Sequence, residues 1–219
     1  MSAANRQRRA DSGFAGAEAV VTMASAVAVH PLWLRLTHWI NVLAVVVLVM
    51  SGWRIYDASP IFAFRFPPGI TLGGWLGGAL LWHFAAMWLL VANGLIYLAL
   101  NLVSGRFARR FLPLRPRDVR RDFVAALGGR LGHDDPWHYN AVQKLAYLFV
   151  VLDSTLLMLS GLVVWKSVQF PLLREIMGGF DNARVVHFVA MAALVGFVAV
   201  HLAMVALVPR TLLMITRGR

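Results

Sequence analysis

The sequence predicts an all-α membrane protein, a four-transmembrane-helix bundle with both termini cytoplasmic. Three observations predict it. First, 59% of the 219 residues are hydrophobic and the mean hydropathy is +0.68, against an apolar share of about 45–50% in soluble domains. Second, four apolar runs occupy 34–53, 74–103, 145–165 and 184–208, each near or above the roughly 20 residues that span a hydrocarbon core. Third, the basic residues sort to one side. Sixteen fall in the tail up to Thr37, in 104–144 and after 208; only Arg54, Arg65, Lys166, Arg174 and Arg184 fall in the alternate segments. Lysine and arginine collect on the cytoplasmic side of a bacterial inner membrane. This asymmetry accounts for most of the net charge of +11, so no nucleic-acid partner is implied.

In chain order, residues 1–29 read as a disordered cytoplasmic arm and 30–219 as one four-helix domain. Arg8-Arg9 hints at a twin-arginine signal, but Asp11 follows and the next apolar stretch is short and alanine-rich. His30 before Pro31 is most simply interfacial. Trp33, Trp39, Trp53, Trp75 and Trp165 fall near the ends of the runs, where an aromatic belt is expected. The outer segment S-P-I-F-A-F-R-F-P-P-G-I at 59–70 suits a docking surface or insertion into the membrane surface. The basic stripe R-F-A-R-R-F-L-P-L-R-P-R is expected to lie against anionic headgroups. His133 and His138 flank D-D-P-W, which reads as a turn before the third helix rather than a metal site. Asp153 lies in the middle of that helix and should face the bundle, either as a neutral acid bonded to a hydroxyl or as part of a proton path.

The chemistry rests on four of the seven histidines. His187 and His201 stand fourteen residues apart in R-V-V-H-F-V-A-M-A-A-L-V-G-F-V-A-V-H, which puts them on one helix face about 21 Å apart along the axis. With the orientation above, His83 lies at the outer depth of His187, and His38 at the inner depth of His201. Two imidazoles from facing helices are the axial ligand set of a b-type haem, and a flat macrocycle fits between the helices of a bundle. Two such sites stacked across a membrane make an electron path. The chain has no cysteine, which excludes disulfides, thiolate metal sites, cysteine-ligated iron–sulfur clusters and covalent haem attachment. A histidine-based ion or metal transporter is the competing reading of the same imidazoles.

A weak internal repeat supports the pairing. H-F-A-A-M at 83–87 echoes H-F-V-A-M at 187–191, and M-S-G at 50–52 echoes L-S-G at 159–161. The same alignment sets Tyr97 against His201 and His38 against Tyr147. Helices 1–2 and 3–4 would then be parallel repeats about an axis along the membrane normal, with His83 and His187 as equivalents. Gly52 and Gly161 occupy matching positions, where they either let a porphyrin approach or serve helix packing.

R-L-T-H-W at 35–39, M-S-G-W at 50–53, W-H-F at 82–84, Y-N-A-V-Q-K at 139–144 and R-V-V-H with its second histidine together resemble the bacterial cytochrome b561 and hydrogenase-type di-haem cytochrome b family. That family includes the membrane subunits of formate dehydrogenases and of thiosulfate-reductase-like molybdoenzymes. The resemblance covers roughly 30–210 and implies two non-covalent bis-histidine haem b groups: His38 with His201 inside, His83 with His187 outside. It also implies a quinone as substrate near Tyr139–Lys144, with Asn140 as its contact; Val142 stands where the family's N-A-G-Q-K carries glycine. Arg184 lies three residues before His187, and Arg35 three before His38. Each is placed to meet a haem propionate or to act as an interfacial anchor, and Arg35 also to hold a quinone oxygen. The function implied is an electron-transfer subunit linking a periplasmic redox subunit, of molybdoenzyme type or similar, to quinone. A stand-alone cytochrome b561-type oxidoreductase, for example superoxide:quinone, is the alternative.

Overall fold

The computed structural model describes residues 31–104 and 141–217, and all regular structure among them is helical. Its helices are α1 (Leu32–Ala58), α2 (Leu76–Val103), α3 (Ala141–Lys166), a short α4 (Pro171–Ile176), α5 (Phe180–Leu207) and α6 (Arg210–Arg217), with one 3-10 turn at Pro68–Ile70. Four of these, α1, α2, α3 and α5, are long and apolar enough to cross a membrane. At 26 to 28 residues each is about 40 Å long; α1, α3 and α5 extend past their apolar runs, while α2 lies within its own. α1 continues through R-I-Y-D-A to Ala58, and α5 starts four residues before the run at 184. The N-terminal arm, His30, the basic loop with His133 and His138, and Asn140 lie outside the described residues.

Local chemistry sets the helix ends. Pro31 precedes α1 and Pro171 opens α4; a proline there loses no helical hydrogen bond. Between α4 and α5 the chain reverses through Gly178 and Gly179, at φ +75° and +103°, a region open to glycine at little cost. Their amides close the turn on Glu175 O and Arg174 O.

Close packing among the described residues runs within two hairpins, α1 on α2 and α3 on α5. Ten of the fourteen buried positions among the described residues recur every seven residues: Thr37, Ala44 and Ser51 on α1; Ala79, Ala86 and Asn93 on α2; Asp153 and Ser160 on α3; Ala183 and Ala190 on α5. Residues this small let helix backbones approach where lipid removes any hydrophobic drive to pair, and a seven-residue period keeps the seam facing its partner. Large apolar side chains point the other way; Trp88, Leu95, Val151 and Val200 are each at least 60% exposed and would face lipid.

The first hairpin has a polar clasp. Asn93 Nδ2 donates to Thr37 O at 2.8 Å and to Asn41 Oδ1 at 2.6 Å. The repeat equivalents of Asn93, Asn41 and Thr37 are Phe197, Val150 and Ala146, and the second hairpin closes at this level by Phe149 packing on Phe197, centroids 5.6 Å apart. At one end of the bundle Arg35 holds the end of α6 through Ile215 O (3.3 Å) and Thr216 O. At the other, Arg184 bonds Ser59 O and Oγ (3.3 Å) and lies 3.9 Å from Asp181, which ties the start of α5 to the end of α1.

Candidate cofactor site

The helix hairpins bring the four intramembrane histidines together in two pairs. His83 on α2 faces His187 on α5 with ring centroids 6.5 Å apart, and His38 on α1 faces His201 on α5 at 6.4 Å. Both pairs join one hairpin to the other. The interplanar angles, 63° and 60°, are nearly the same. α3 supplies none of the four rings.

This spacing is a test of what the pairs can hold. A metal–imidazole bond is about 2 Å and the ring centroid lies about 1.1 Å behind the nitrogen, so two ligands opposed across one metal have centroids about 6.3 Å apart. Both pairs meet that value. Each supplies only two donors, and no group of three or more His, Cys, Asp or Glu side chains meets among the described residues. A bare ion such as zinc takes four ligands; two opposed imidazoles suit a metal whose equatorial positions are already filled by a macrocycle. The residues present therefore fit haem b at both levels.

The His83–His187 pair, the outer one in the orientation expected from the charge distribution, is gripped from behind in the same way on both sides. His83 Nδ1 lies 3.1 Å from Ser51 Oγ, and His187 Nδ1 lies 3.0 Å from Ser160 Oγ. Each serine is also close to the carbonyl four residues back, Ser51 to Val47 O at 2.6 Å and Ser160 to Leu156 O at 2.7 Å. A carbonyl only accepts, so the hydroxyl proton goes to it and the oxygen is left to accept from imidazole. His187 Nδ1 is moreover 3.1 Å from Leu157 O, which again requires Nδ1 to be the donor. Nε2 then keeps its lone pair for a metal.

The glycine after each serine completes the grip. A Cβ on Gly161 would meet His187 Cε1 at 3.3 Å, and one on Gly52 would meet His83 Cε1 at 3.5 Å. The S-G pairs therefore back the imidazole edges, a reason for glycine more specific than porphyrin approach or general packing. Neither serine was singled out by the sequence pattern; the repeated S-G was the available signal.

The inner pair has different neighbours. His38 meets Trp39 edge-on at 5.5 Å, and Phe197 stacks on His201 at 6.1 Å and 13°. Neither ring has a hydrogen bond among the described residues. Asp153 is buried on α3, and its Oδ2 has no hydrogen-bond partner among the described residues; its repeat equivalent is the fully buried Ala44. Packing at this position is thus satisfied by a methyl group in one half, while the other half carries a carboxyl.

Over the outer pair the segment 59–70 folds around one hydroxyl. Tyr56 accepts from Phe62 N at 3.2 Å and lies within 3.3 Å of Phe62 O and 3.2 Å of Phe64 O. Asp57 Oδ1 accepts from Phe66 N at 2.9 Å. Phe62 and Phe64 pack on Phe188, next to His187, at 5.4 and 6.1 Å.

No solved structure matches the chain. It is 64% identical over 191 residues to a protein of Azospira oryzae described as a putative protein-methionine-sulfoxide reductase subunit YedZ1, covering 87% of this chain and 96% of that one. The prokaryotic cytochrome b561 family matches residues 29–218, and with four apolar helices, three of which carry two histidine pairs at the spacing of axial ligands, the chain belongs to that family.

Proposed function

We propose that the chain is a di-haem b membrane subunit that carries electrons across the bacterial inner membrane between quinone and a periplasmic oxidoreductase. The observation that carries this reading is the pair of imidazole spacings, 6.5 and 6.4 Å. His83 and His187 would hold the outer haem and His38 and His201 the inner one, each haem supplying a one-electron ferric/ferrous couple. Fourteen residues of α5 separate the levels, about 21 Å along the axis. Relative to the lipid, both termini are cytoplasmic in this reading, because the arginine-rich segments lie on the inner-pair side.

The relative's description as a reductase subunit suggests the partner: an enzyme that reduces methionine sulfoxide in proteins, of the molybdoenzyme class. A reductase consumes electrons, so flow would run from quinol at the inner pair to the partner at the outer pair. Asn140 and its neighbours are the proposed quinone contact. Arg35 and Arg184, beyond the carbonyls they already bond, keep further N–H donors for a quinone oxygen or haem propionates. The aromatic segment 59–70 is the proposed docking face.

The test uses the full chain purified from its own membrane. Two haems per polypeptide, a b-type reduced-minus-oxidised band and a copurifying reductase that oxidises the reduced chain are the expected results. Protein without pigment would overturn the haem assignment and return the histidines to ion transport. Sustained turnover between a small donor such as superoxide and quinone with no partner present would favour the stand-alone oxidoreductase.

A further inference from the structure

The two histidine pairs differ in what stands behind the rings, and the difference has an electronic consequence. Behind His83 and His187 are hydroxyl oxygens at 3.1 and 3.0 Å, each fixed as an acceptor because its own proton is committed to Val47 O or Leu156 O. His187 has the Leu157 carbonyl as a second acceptor at 3.1 Å. Behind His38 and His201 the neighbours are rings, Trp39 and Phe197. An imidazole whose Nδ1–H is donated to oxygen is the more basic ligand through Nε2. A more basic pair of axial ligands favours ferric over ferrous iron, and hydrogen bonding of this kind is one of the levers on haem potential.

We propose that Ser51 and Ser160 are positioning residues that hold the proton of His83 and His187 on Nδ1, and so make the outer haem centre the more reducing of the two. This rests on the di-haem reading above. No proton moves when the centre takes or gives its one electron, since Nδ1–H stays bonded in both states. For outward electron flow such an order has a use. A membrane potential positive outside draws electrons outward, and a low-potential outer centre keeps that energy as reducing power at the surface where the partner docks.

Redox titration of the pigmented full-length chain tests it. In the wild type two midpoints are expected, and His83→Ala should remove the lower. Ser51→Ala and Ser160→Ala, singly and together, should raise that lower midpoint and leave the upper one in place, while Ser160→Thr, which keeps the hydroxyl, should restore it. Nitrogen-15 NMR of the imidazoles in the haem-free chain gives a readout independent of loading, with His83 and His187 expected as Nδ1–H tautomers. An unmoved lower midpoint, movement of the upper one, loss of the higher midpoint in His83→Ala, or Nε2–H tautomers would each overturn the inference with the di-haem reading intact. Failure of the wild type to bind two haems would overturn both.

Discussion

The outer and inner histidine pairs have nearly the same spacing and tilt, yet they are built by different rules. The outer pair obeys the internal repeat: Ser51, Gly52 and His83 in one hairpin match Ser160, Gly161 and His187 in the other. Departure from the repeat makes the inner pair, because the equivalents of His38 and His201 are Tyr147 and Tyr97. One site is thus symmetric and hydrogen-bonded, the other asymmetric and set among aromatic rings. A similar ring spacing can be reached with and without symmetry; what symmetry adds is a duplicated shell behind the imidazole.

Substitutions can break this comparison, and their effects should be graded. Replacing a ligand should do most: His187→Ala or His83→Ala should abolish only the outer haem, and His38→Ala or His201→Ala only the inner, halving the haem content measured by pyridine haemochrome assay. Loss of both haems from a still-folded chain would refute the pairing. Next come the glycines. Gly161→Val should crowd His187 and deplete the outer haem strongly, whereas Gly52→Ala, whose added Cβ would lie 3.5 Å from its histidine against 3.3 Å at Gly161, should be tolerated better than Gly161→Ala in the same assay.

Asn93→Leu removes two interhelical hydrogen bonds. At about 0.6 kcal/mol for each such bond in a membrane, the loss should be on the order of 1 kcal/mol, seen as a lower thermal midpoint in detergent with the haem spectrum retained. The smallest effect is expected of Tyr56→Phe, which should loosen residues 59–70 and raise their protease sensitivity without changing haem content. Unchanged cleavage would mean that the Asp57 and aromatic contacts hold the segment by themselves.

Much of this was legible before any coordinates. Apolar length fixes the four spans, and the fourteen-residue interval on α5 puts His187 and His201 on one face whatever the neighbours are. Depth matching then finds His83 and His38, because side chains that face each other between membrane helices must share a level, whichever way the helices run. The rest depends on paths that no period encodes. Arg35 stands one turn before His38, but its guanidinium binds the end of α6, 180 residues away in the chain. Arg184 likewise engages Ser59 on the far side of a sequence gap of 125 residues. Tyr56 reads as an ordinary interfacial aromatic until the loop after it is seen wound around its hydroxyl. The serines were hidden for another reason: hydroxyls are common in apolar helices as self-bonded residues, and only the distance to Nδ1 separates these two from that background.

That the helices pack closely as α1 with α2 and α3 with α5, and little between, bears on how such a protein is made. On the proposed di-haem reading, each hairpin could insert as a unit and the haems would then join the two through His83 with His187 and His38 with His201. Assembly would then track the supply of porphyrin, and a cell short of iron would hold loose half-bundles, exposed to quality-control proteolysis, instead of dark but intact cytochrome.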